Sequence, residues 1–400
     1  MPAPTPRTPD GLPTVGIVFS QFAAYHVDRC EAAAARLIGR ARVRAVEVAT
    51  HSAVYAWDTS GAVHGAEKLV LFPGRRFEDV SWVRRFRAEW RALYGCRVVL
   101  VGLPYNLPDA IVLSWCLRLR GVQVVVMTES KHDDSPRRRL VEMGKALLLR
   151  AYSAAMVGGR RQAEYMALLG FGGRPVVPGY DTVSLERIRD QAAHDADPPS
   201  WQARPFVFVG RFVAKKNLAV LLRGYAVYVA RAGGQPRRLV LLGDGPQRAE
   251  LEALVAELHI ASLIDWPGFL GAEAVARALR GALALCLVSR EEQWGLVVNE
   301  ALACGLPVIA SSPVGARDAL VRDGENGFVI EPHDSEALAI ALARLSDDEG
   351  QWMRMSQSSG ERAWMGDTER FADAVEVLVG EPAAAARRRI ARFERELADT

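Results

Sequence analysis

The segment that decides the fold is Ser289-Arg-Glu-Glu-Gln-Trp-Gly-Leu-Val-Val-Asn-Glu300-Ala-Leu-Ala-Cys-Gly-Leu-Pro-Val-Ile-Ala310. The apolar run 283–288 before it predicts a buried parallel strand. Residues 293–304 then predict a helix, which Gly305 stops. On this prediction Glu292 lies on the loop after the strand, and Glu300 lies about two turns into the helix on roughly the same face. A strand followed at once by a helix is the repeating unit of a parallel α/β sheet.

The same alternation extends outward over the chain. In the first part it predicts strands at 15–19, 43–48, 69–72, 98–101, 122–127, 154–157 and 175–177, and helices at 80–93, 110–119, 137–149 and 161–169. In the second part it predicts strands at 205–209, 239–242, 263–266 and 283–288, and helices at 218–230, 247–258, 274–279, 335–345, 361–365 and 368–379. We therefore expect two Rossmann-like domains facing across a cleft, with ligands at the carboxyl ends of the strands.

Composition shifts predict the domain boundaries. An N-terminal domain covers 1–184, beginning with a proline-rich tail at 1–12 that we expect to be disordered. A polar linker follows at 185–203, and a C-terminal domain covers 204–380. The last residues, 381–400, predict an amphipathic helical tail that docks on the body.

Composition and charge limit the function classes. Half of the 400 residues are hydrophobic and 24% are charged, as in ordinary globular proteins. The five cysteines show no C-x-x-C spacing, so we expect a reducing compartment without disulfides or a zinc site. No apolar run approaches the ~20 residues that span a bilayer. We expect a cytoplasmic protein.

The net charge of +3 conceals an asymmetry between the two halves. Residues 1–180 hold 25 Lys and Arg against 15 Asp and Glu, and the remainder holds 25 against 32. A basic N-terminal half suits an anionic acceptor or peripheral contact with the inner face of the membrane. Arginine-rich helices that keep the protein in solution are the alternative. We expect no nucleic-acid partner.

Two basic positions follow the first strand of the second domain, in Gly210-Arg211-Phe-Val-Ala-Lys-Lys216-Asn. Arg211 offers a fork of donors and Lys216 a compact charge, which together suit a diphosphate. Glu292 and Glu300 beside Gly295 suit the hydroxyls of the same ligand, since a helix N-terminus favours anions. Such a ligand is a nucleotide-sugar. Taken singly, these side chains could equally be ordinary surface residues.

The two motifs together resemble the donor site of retaining glycosyltransferases of family 4, through Glu-x-x-Gly-Leu-Val-x-x-Glu-Ala-x-Ala-Cys-Gly-x-Pro-Val-Ile-Ala at 292–310 and Gly-Arg-x-x-x-x-Lys at 210–216. The family has the GT-B fold of two Rossmann-like domains. The resemblance implies transfer of a hexose-type sugar from a UDP- or GDP-linked donor with retention, no essential metal and no resident cofactor. It covers roughly residues 205–345. Gln293-Trp294 departs from the family's usual Gly-Phe or Pro-Phe.

The resemblance also implies residue roles. Glu292 contacts hydroxyls of the donor sugar, and Glu300 accepts hydrogen bonds from the ribose. Arg211 and Lys216 bind the diphosphate, so the predicted catalytic residues are Glu292, Arg211 and Lys216. The remaining predicted donor-binding positions are Gly245, Phe269, Gly295, Leu296 and Val297.

Candidate residues on the acceptor side follow strands of the first domain. They are Ser20, Gln21, His26, Tyr105, Asn106, Glu129 and His132. The resembled family commonly carries a histidine there, for which His26 and His132 are both candidates. Adjacent Asp133 and Asp134 do not make a metal site, because neighbouring side chains point different ways.

Other functions remain as alternatives. A GT-B sugar phosphorylase or a nucleotide-sugar epimerase would share the two-domain layout, and a nucleotide-sugar-binding protein that has lost catalysis would keep the donor site. A dinucleotide oxidoreductase is disfavoured, because no complete G-x-G-x-x-G follows a strand.

Overall fold

The computed structural model describes residues 11–53, 60–134, 136–193, 197–380 and 384–398. They form two units, each with its own contacts: one lies within Met1–His132, Pro136–Val183 and Thr368–Asp399, and the other is essentially Ser184–Asp367. Most of the predicted tail 1–12 lies outside the described residues.

The first unit is built on a seven-stranded sheet whose pairs are all parallel. Its strands are β1 (Thr14–Phe19), β2 (Arg42–His51), β3 (Ala66–Arg76), β4 (Val98–Val101), β5 (Gln123–Thr128), β6 (Ala154–Val157) and β7 (Val176–Pro178), in the order β3-β2-β1-β4-β5-β6-β7. The helices between them are α1 (Ala24–Arg36), α2 (Trp82–Leu93), α3 (Pro108–Leu119), α4 (Arg139–Leu148) and α5 (Arg160–Met166).

Alternate residues of these strands enter the two cores that cover the faces of the sheet. In β1, Val15 and Ile17 join one buried cluster and Val18 joins the other; in β4, Leu100 and Val101 divide in the same way. Burial on both faces explains why these strands are continuous apolar runs rather than alternating ones.

The second unit is built on a six-stranded parallel sheet. Its strands are β8 (Phe206–Val209), β9 (Leu239–Leu242), β10 (Ile264–Gly268), β11 (Ala284–Leu287), β12 (Val308–Ser311) and β13 (Gly327–Ile330), in the order β10-β9-β8-β11-β12-β13. Its helices are α6 (Leu185–Ala193), α7 (Leu218–Arg231), α8 (Arg248–Glu257), α9 (Ala272–Gly281), α10 (Val297–Ala303), α11 (Arg317–Leu320), α12 (Ser335–Asp347) and α13 (Glu349–Arg362). The prediction of two parallel α/β domains is confirmed.

The chain ends with two helices, α14 (Thr368–Val379) and α15 (Ala384–Ala398), which pack with the first unit. The boundary thus falls at 367/368, whereas the sequence predicted one C-terminal domain up to 380. The physical reason is a buried ion cluster, in which Asp373 accepts from Arg36 of α1 and from Arg389 of α15.

The segments flanking this boundary also differ from the prediction. The predicted linker 185–203 begins with helix α6, whose Leu185, Ile188 and Ala192 are buried in the second unit. In the tail, α15 buries Ala386, Ile390, Phe393 and Leu397, which share one helical face. Residues 194–196, 381–383 and 399–400 of the predicted linker and tail lie outside the described part of the chain.

Candidate functional site

The strand order of the second sheet reverses direction between its neighbours β8 and β11. In open parallel sheets, ligands bind outside the carboxyl ends of the strands at this switch point. The loop after β8 carries Arg211 and Lys216, and the loop after β11 carries Glu292. The residues predicted from two separate motifs therefore follow the two strands that flank the switch point.

The turns at this edge are too tight for side chains. Gly243 follows β9 with a φ of +131°, and a Cβ there would lie 2.0 Å from the carbonyl oxygen of Gly210. A Cβ on Gly245 would lie 2.5 Å from the carbonyl oxygen of Phe212. Asp244 holds the turn, since its Oδ1 accepts a hydrogen bond of 2.7 Å from the Gly245 N–H. Position 245, which is predicted to bind the donor, therefore requires glycine, because a larger residue would clash with the backbone of Phe212.

Lys216 and Glu292 form an ion pair between Nζ and Oε2. The Ser289 hydroxyl donates to the same carboxylate oxygen at 3.0 Å. Both charged side chains are mostly buried, with 14% and 11% of their surfaces exposed. Arg211 and Lys215 are exposed. The two opposite charges thus neutralise each other at a largely buried position.

The helix after β11 begins later than its sequence predicted. It starts at Val297 rather than at 293, because Gly295 has a φ of +100° that interrupts any helix there. Glu292 instead pairs its backbone with Val314 in an isolated bridge, and its carbonyl oxygen accepts from the Gly315 N–H. Glu300 therefore lies in the first turn of α10. The predicted alignment of both glutamates on one helical face is wrong.

The backbone of residues 295–297 leads into this first turn. Within the described part of the chain, the N–H groups of Gly295, Leu296 and Val297 have no backbone acceptor. The first N–H groups of a helix lack intrahelical partners, so they are donors for an anion. Gly295, Leu296 and Val297 are three of the positions predicted to bind the donor.

Glu300 contributes to a small pocket in the second unit. Arg187 and Gln191 of α6 line it together with Ala272 and Ala276 of α9. The segment that precedes α9 holds Phe269, whose side chain is 71% exposed. Glu300, predicted to bind the ribose, thus shares a pocket with α9, and Phe269, also predicted to bind the donor, shortly precedes that helix.

Gln293 and Trp294, which depart from the usual pair of the resembled family, differ in burial. Trp294 lies in the core of the unit, outside the predicted donor site. Trp294 is 2% exposed and donates from Nε1 to Asn299 Oδ1 at 2.9 Å. Asn299 in turn donates to the carbonyl oxygen of Gly366 at 3.1 Å. The indole therefore anchors α10 in the body of the unit rather than shaping a donor pocket, and Gln293 alone is exposed.

Asn217 is a positioning residue that the sequence analysis missed. It is buried in the left-handed conformation, with a φ of 60°. Its Nδ2 donates to the carbonyl oxygens of Val288 at 3.0 Å and Pro332 at 2.6 Å, and its Oδ1 accepts from Arg290 Nε. The one available signal was an asparagine directly after Lys216 and before a helix, where this residue type tolerates positive φ.

In the first unit, four of the acceptor-side candidates flank the corresponding switch point between β1 and β4. Ser20 and Gln21 follow β1, and Tyr105 and Asn106 lie in the loop after β4. Gln21 is buried and donates from Nε2 to the Thr50 carbonyl oxygen at 3.1 Å. Tyr105 is half-buried and Asn106 is exposed. The structure thus places these four where a ligand of this sheet would bind.

The two candidate histidines differ in environment. His26 is buried in α1, where burial first and Arg29 second hold its pKa well below the usual range. Its neutral ring accepts the Ala23 N–H at Nδ1 and lies 4.2 Å from the Phe19 ring, centroid to centroid. His132 is exposed, with its ring 6.1 Å from that of Tyr165. His26 is therefore a structural element of α1, and His132 is open to solvent.

Glu129 follows β5 at the same edge of the first sheet and is half-buried beside Asp181. Burial, and after it the charge of Glu129, raise the pKa of Asp181 well above its usual range, while Arg29 acts in the opposite direction. Arg29 is fully buried between the rings of Tyr25 and Tyr180. Glu129 thus belongs to a buried polar cluster.

The described ranges of the chain contain no group of three or more His, Cys, Asp or Glu side chains arranged to hold a metal ion. Nor does any described helix have the length and apolar character to cross a membrane.

Comparison with solved structures defines the fold class. The chain is similar to sucrose-phosphate synthase from Thermosynechococcus elongatus, with a TM-score of 0.66 and 20% identity over 97% of this chain and 99% of the other. It is equally similar to Anabaena HepE in complex with UDP and glucose, with a TM-score of 0.66 and 16% identity over 97% and 98%. The fold is GT-B.

Comparison of sequences gives a family match within the second unit. Residues 194–362 match the family model Glycosyl transferases group 1. D-inositol 3-phosphate glycosyltransferase of Thermomonospora curvata is 37% identical over 188 residues, which are 43% of this chain and 43% of the relative. Alpha-D-kanosaminyltransferase of Streptomyces kanamyceticus is 30% identical over 157 residues, 39% of this chain and 40% of the relative. The matches thus span less than half the length of these curated relatives.

Proposed function

We propose that this protein is a retaining, metal-independent glycosyltransferase of the family 4 type. It transfers a hexose-type sugar from a nucleoside-diphosphate sugar to an acceptor hydroxyl. The observation that carries the proposal is the convergence of Lys216 and Glu292 at the switch point of the second sheet. The Glycosyl transferases group 1 match over the same unit supports it.

The reaction needs a leaving diphosphate to be stabilised as its bond to the anomeric carbon breaks. Arg211 and Lys216 supply positive charge there, and the N–H groups of residues 295–297 supply donors. The diphosphate, already anionic in the bound donor, gains further negative charge as the sugar departs, so these fixed groups stabilise the transition state more than the bound donor.

Retention follows from attack on the same face that the diphosphate leaves. The acceptor oxygen bonds to the anomeric carbon, the bond from that carbon to the phosphate oxygen breaks, and the acceptor proton passes to the departing phosphate. Glu292 holds sugar hydroxyls beside the reacting carbon rather than forming a bond to it. A glycosidase would instead place two carboxylates across the scissile bond.

The donor is UDP- or GDP-linked, and UDP is the first choice because the similar HepE structure holds UDP. Glu300 accepts hydrogen bonds from the ribose, in the pocket that it shares with Arg187 and Ala272. The acceptor is a hydroxyl of a lipid, a glycan or a small metabolite.

Thermal-shift titration against UDP, GDP and ADP, with and without EDTA, tests the donor site. One diphosphate should raise the melting temperature whether or not EDTA is present. Arg211→Ala combined with Lys216→Ala should remove that shift, whereas Lys215→Ala, the exposed neighbour, should keep it. If no diphosphate stabilises the protein, or if the double variant responds like the parent, the donor assignment is wrong.

The anomeric configuration of the product tests the mechanism. A donor with an α-linked sugar should give an α-linked product, which the proton coupling at the anomeric carbon reports in an NMR spectrum. A β-linked product would overturn retention. Turnover of a glycan with inorganic phosphate and no nucleotide would favour a phosphorylase instead.

A further inference from the structure

Helix α4 of the first unit presents an apolar face to solvent. Leu140, Met143 and Leu147 are 82%, 67% and 56% exposed, and Val141 lies beside them at 51%. Positions 140, 143, 144 and 147 share one side of a helix. Gly144 completes the stripe, since a Cβ built there would have no atom within 4 Å. None of the ten residues of α4 is buried. The apolar side chains of this helix are thus spaced as in a helix that packs on a core, but they face solvent.

Polar contacts on the opposite side fix this orientation. Glu142 accepts a hydrogen bond from the Tyr165 hydroxyl, and Lys145 Nζ donates to Glu142 Oε1 at 2.9 Å and to the Tyr165 hydroxyl at 3.0 Å. Arg137 lies over the Tyr165 ring, 4.4 Å from its centroid. The charged side of α4 therefore faces the protein and holds the apolar side outward.

Positive charge surrounds the apolar stripe. Residues 136–150 hold five basic residues against the single acidic Glu142. Arg138 and Arg139 are exposed at the start of α4, and Arg150 is exposed just after its end. These three have no ion-pair partner within the described residues.

A second basic group adjoins the end of α4. Arg174 donates from Nη1 to the carbonyl oxygen of Leu149, directly after α4, at 2.8 Å, and burial and then the charges of Arg118 and Arg150 lower its pKa. Leu119, beside Arg118, is 81% exposed. The exposed apolar side chain of Leu119 thus also stands beside basic side chains.

We propose that α4 is a membrane-docking helix that lies in the surface of an anionic lipid bilayer. Leu140, Met143 and Leu147 enter the boundary between headgroups and acyl chains, while Arg138, Arg139 and Arg150 contact lipid phosphates. Helices with an apolar stripe and a basic margin bind bilayers in this way, with their axis in the plane of the surface. The proposal does not rest on the proposed transferase activity.

Charge selects this occupant over a second copy of the chain. Two copies that met through the same face would bring their Arg138, Arg139 and Arg150 side chains together, because a two-fold interface pairs each patch with itself. Like charges facing each other are unfavourable. An anionic bilayer offers the opposite charge along the full ~15 Å of the helix.

Co-sedimentation of the full chain with vesicles tests the proposal. The vesicles are pure phosphatidylcholine or equal parts phosphatidylcholine and phosphatidylglycerol. The parent protein should bind the anionic vesicles and remain largely unbound with the neutral ones. Leu140→Gln with Met143→Gln and Leu147→Gln should weaken binding by about tenfold or more, and Arg138→Gln with Arg139→Gln should weaken it by roughly tenfold.

A control removes two apolar side chains of the second unit that are also more than half exposed. Ile340→Gln with Met353→Gln should bind vesicles like the parent. Far-UV circular dichroism and the melting temperature check that each variant is folded. The proposal is overturned if the parent stays in the supernatant with anionic vesicles, or if the α4 variants bind as the parent does. A fall in molar mass by light scattering in the triple variant would instead identify a self-association surface and would also overturn it.

Discussion

Arg290 and Asn217 are joined by a hydrogen bond of 2.8 Å from Nε to Oδ1. The bond connects the loop that carries Lys216 to the loop that carries Glu292. Two further bonds from Asn217 Nδ2 hold the end of β11 and the Pro332 carbonyl oxygen. The Lys216–Glu292 pair thus rests on a buried amide that makes no predicted contact with the donor itself.

Replacement of Asn217 by glycine should weaken the donor site. Glycine keeps the left-handed φ without strain but loses all three side-chain bonds, so the expected loss of unfolding free energy is about 1–3 kcal/mol. The affinity for the stabilising diphosphate should fall as well, because both loops lose their common support. Urea unfolding and thermal-shift titration measure the two effects.

The chain offers a matched control for that change. His259 also has a positive φ, of 56°, and lies after α8 away from this edge of the sheet. His259→Gly should leave diphosphate affinity unchanged. Equal losses of affinity in the two glycine variants would show that Asn217 supports the unit in general and not the site.

Glu292→Ala should lower the transfer rate by about a hundredfold or more while the fold is kept. Binding of the diphosphate alone should persist, because Lys216 is released from its ion pair and stays available to phosphate. Glu291→Ala removes the exposed neighbouring carboxylate and should transfer like the parent. Transfer at the parental rate by Glu292→Ala would exclude the proposed role of this residue.

Much of the first unit could be predicted from the sequence for a simple physical reason. Strands buried on both faces, such as β1, β4 and β6, are continuous apolar runs and are therefore visible in the sequence. The predicted strand series ends at 288 and misses β12 and β13. β12 directly follows Pro307 and β13 begins at Gly327, and both residue types are typical of turns.

The sequence does not show how the predicted donor-site residues are arranged in space. Lys216 and Glu292 are 76 residues apart, and only the parallel strand order brings β8 beside β11. Helical periodicity cannot detect a left-handed glycine, so the delayed start of α10 at Val297 was not visible. The packing of α14 with the first unit depends on Arg36 and Asp373, which are 337 residues apart.

The buried ion cluster around Arg36 and Asp373 holds the terminal helices α14 and α15 on the first unit. Asp373 is fully buried and meets the guanidinium groups of Arg36, Arg370 and Arg389. Asp373→Ala leaves three positive charges without their shared carboxylate and should cost about 3–5 kcal/mol of unfolding free energy. Limited proteolysis should then cut ahead of α14.

An exposed partner of the same arginine provides the comparison. Glu369 also pairs with Arg36, but 57% of its side chain is exposed. Glu369→Ala should cost at most about 1 kcal/mol, as solvent screens that pair. Similar losses in both variants would contradict the central role of Asp373.

A buried carboxyl in the first unit predicts a pH dependence of stability. Glu89 of α2 is fully buried beside the Arg85–Asp109 ion pair. Burial first and the charge of Asp109 second raise the pKa of Glu89 to about 8, from a usual value of 4.5. Between these two values the folded state holds a proton that the unfolded chain has lost.

Stability should therefore fall as pH rises from about 5 to about 8, since the folded state binds more protons there. Glu89→Gln keeps the shape and neutrality of the protonated acid but cannot ionise. At pH 8.5 this variant should be about 1–3 kcal/mol more stable than the parent, with little difference near pH 5. Glu67→Gln, which replaces an exposed carboxylate, should have the same stability as the parent both near pH 5 and at pH 8.5. Melting curves that fall equally between pH 5 and pH 8 in the parent and in Glu89→Gln would show that another group causes the loss.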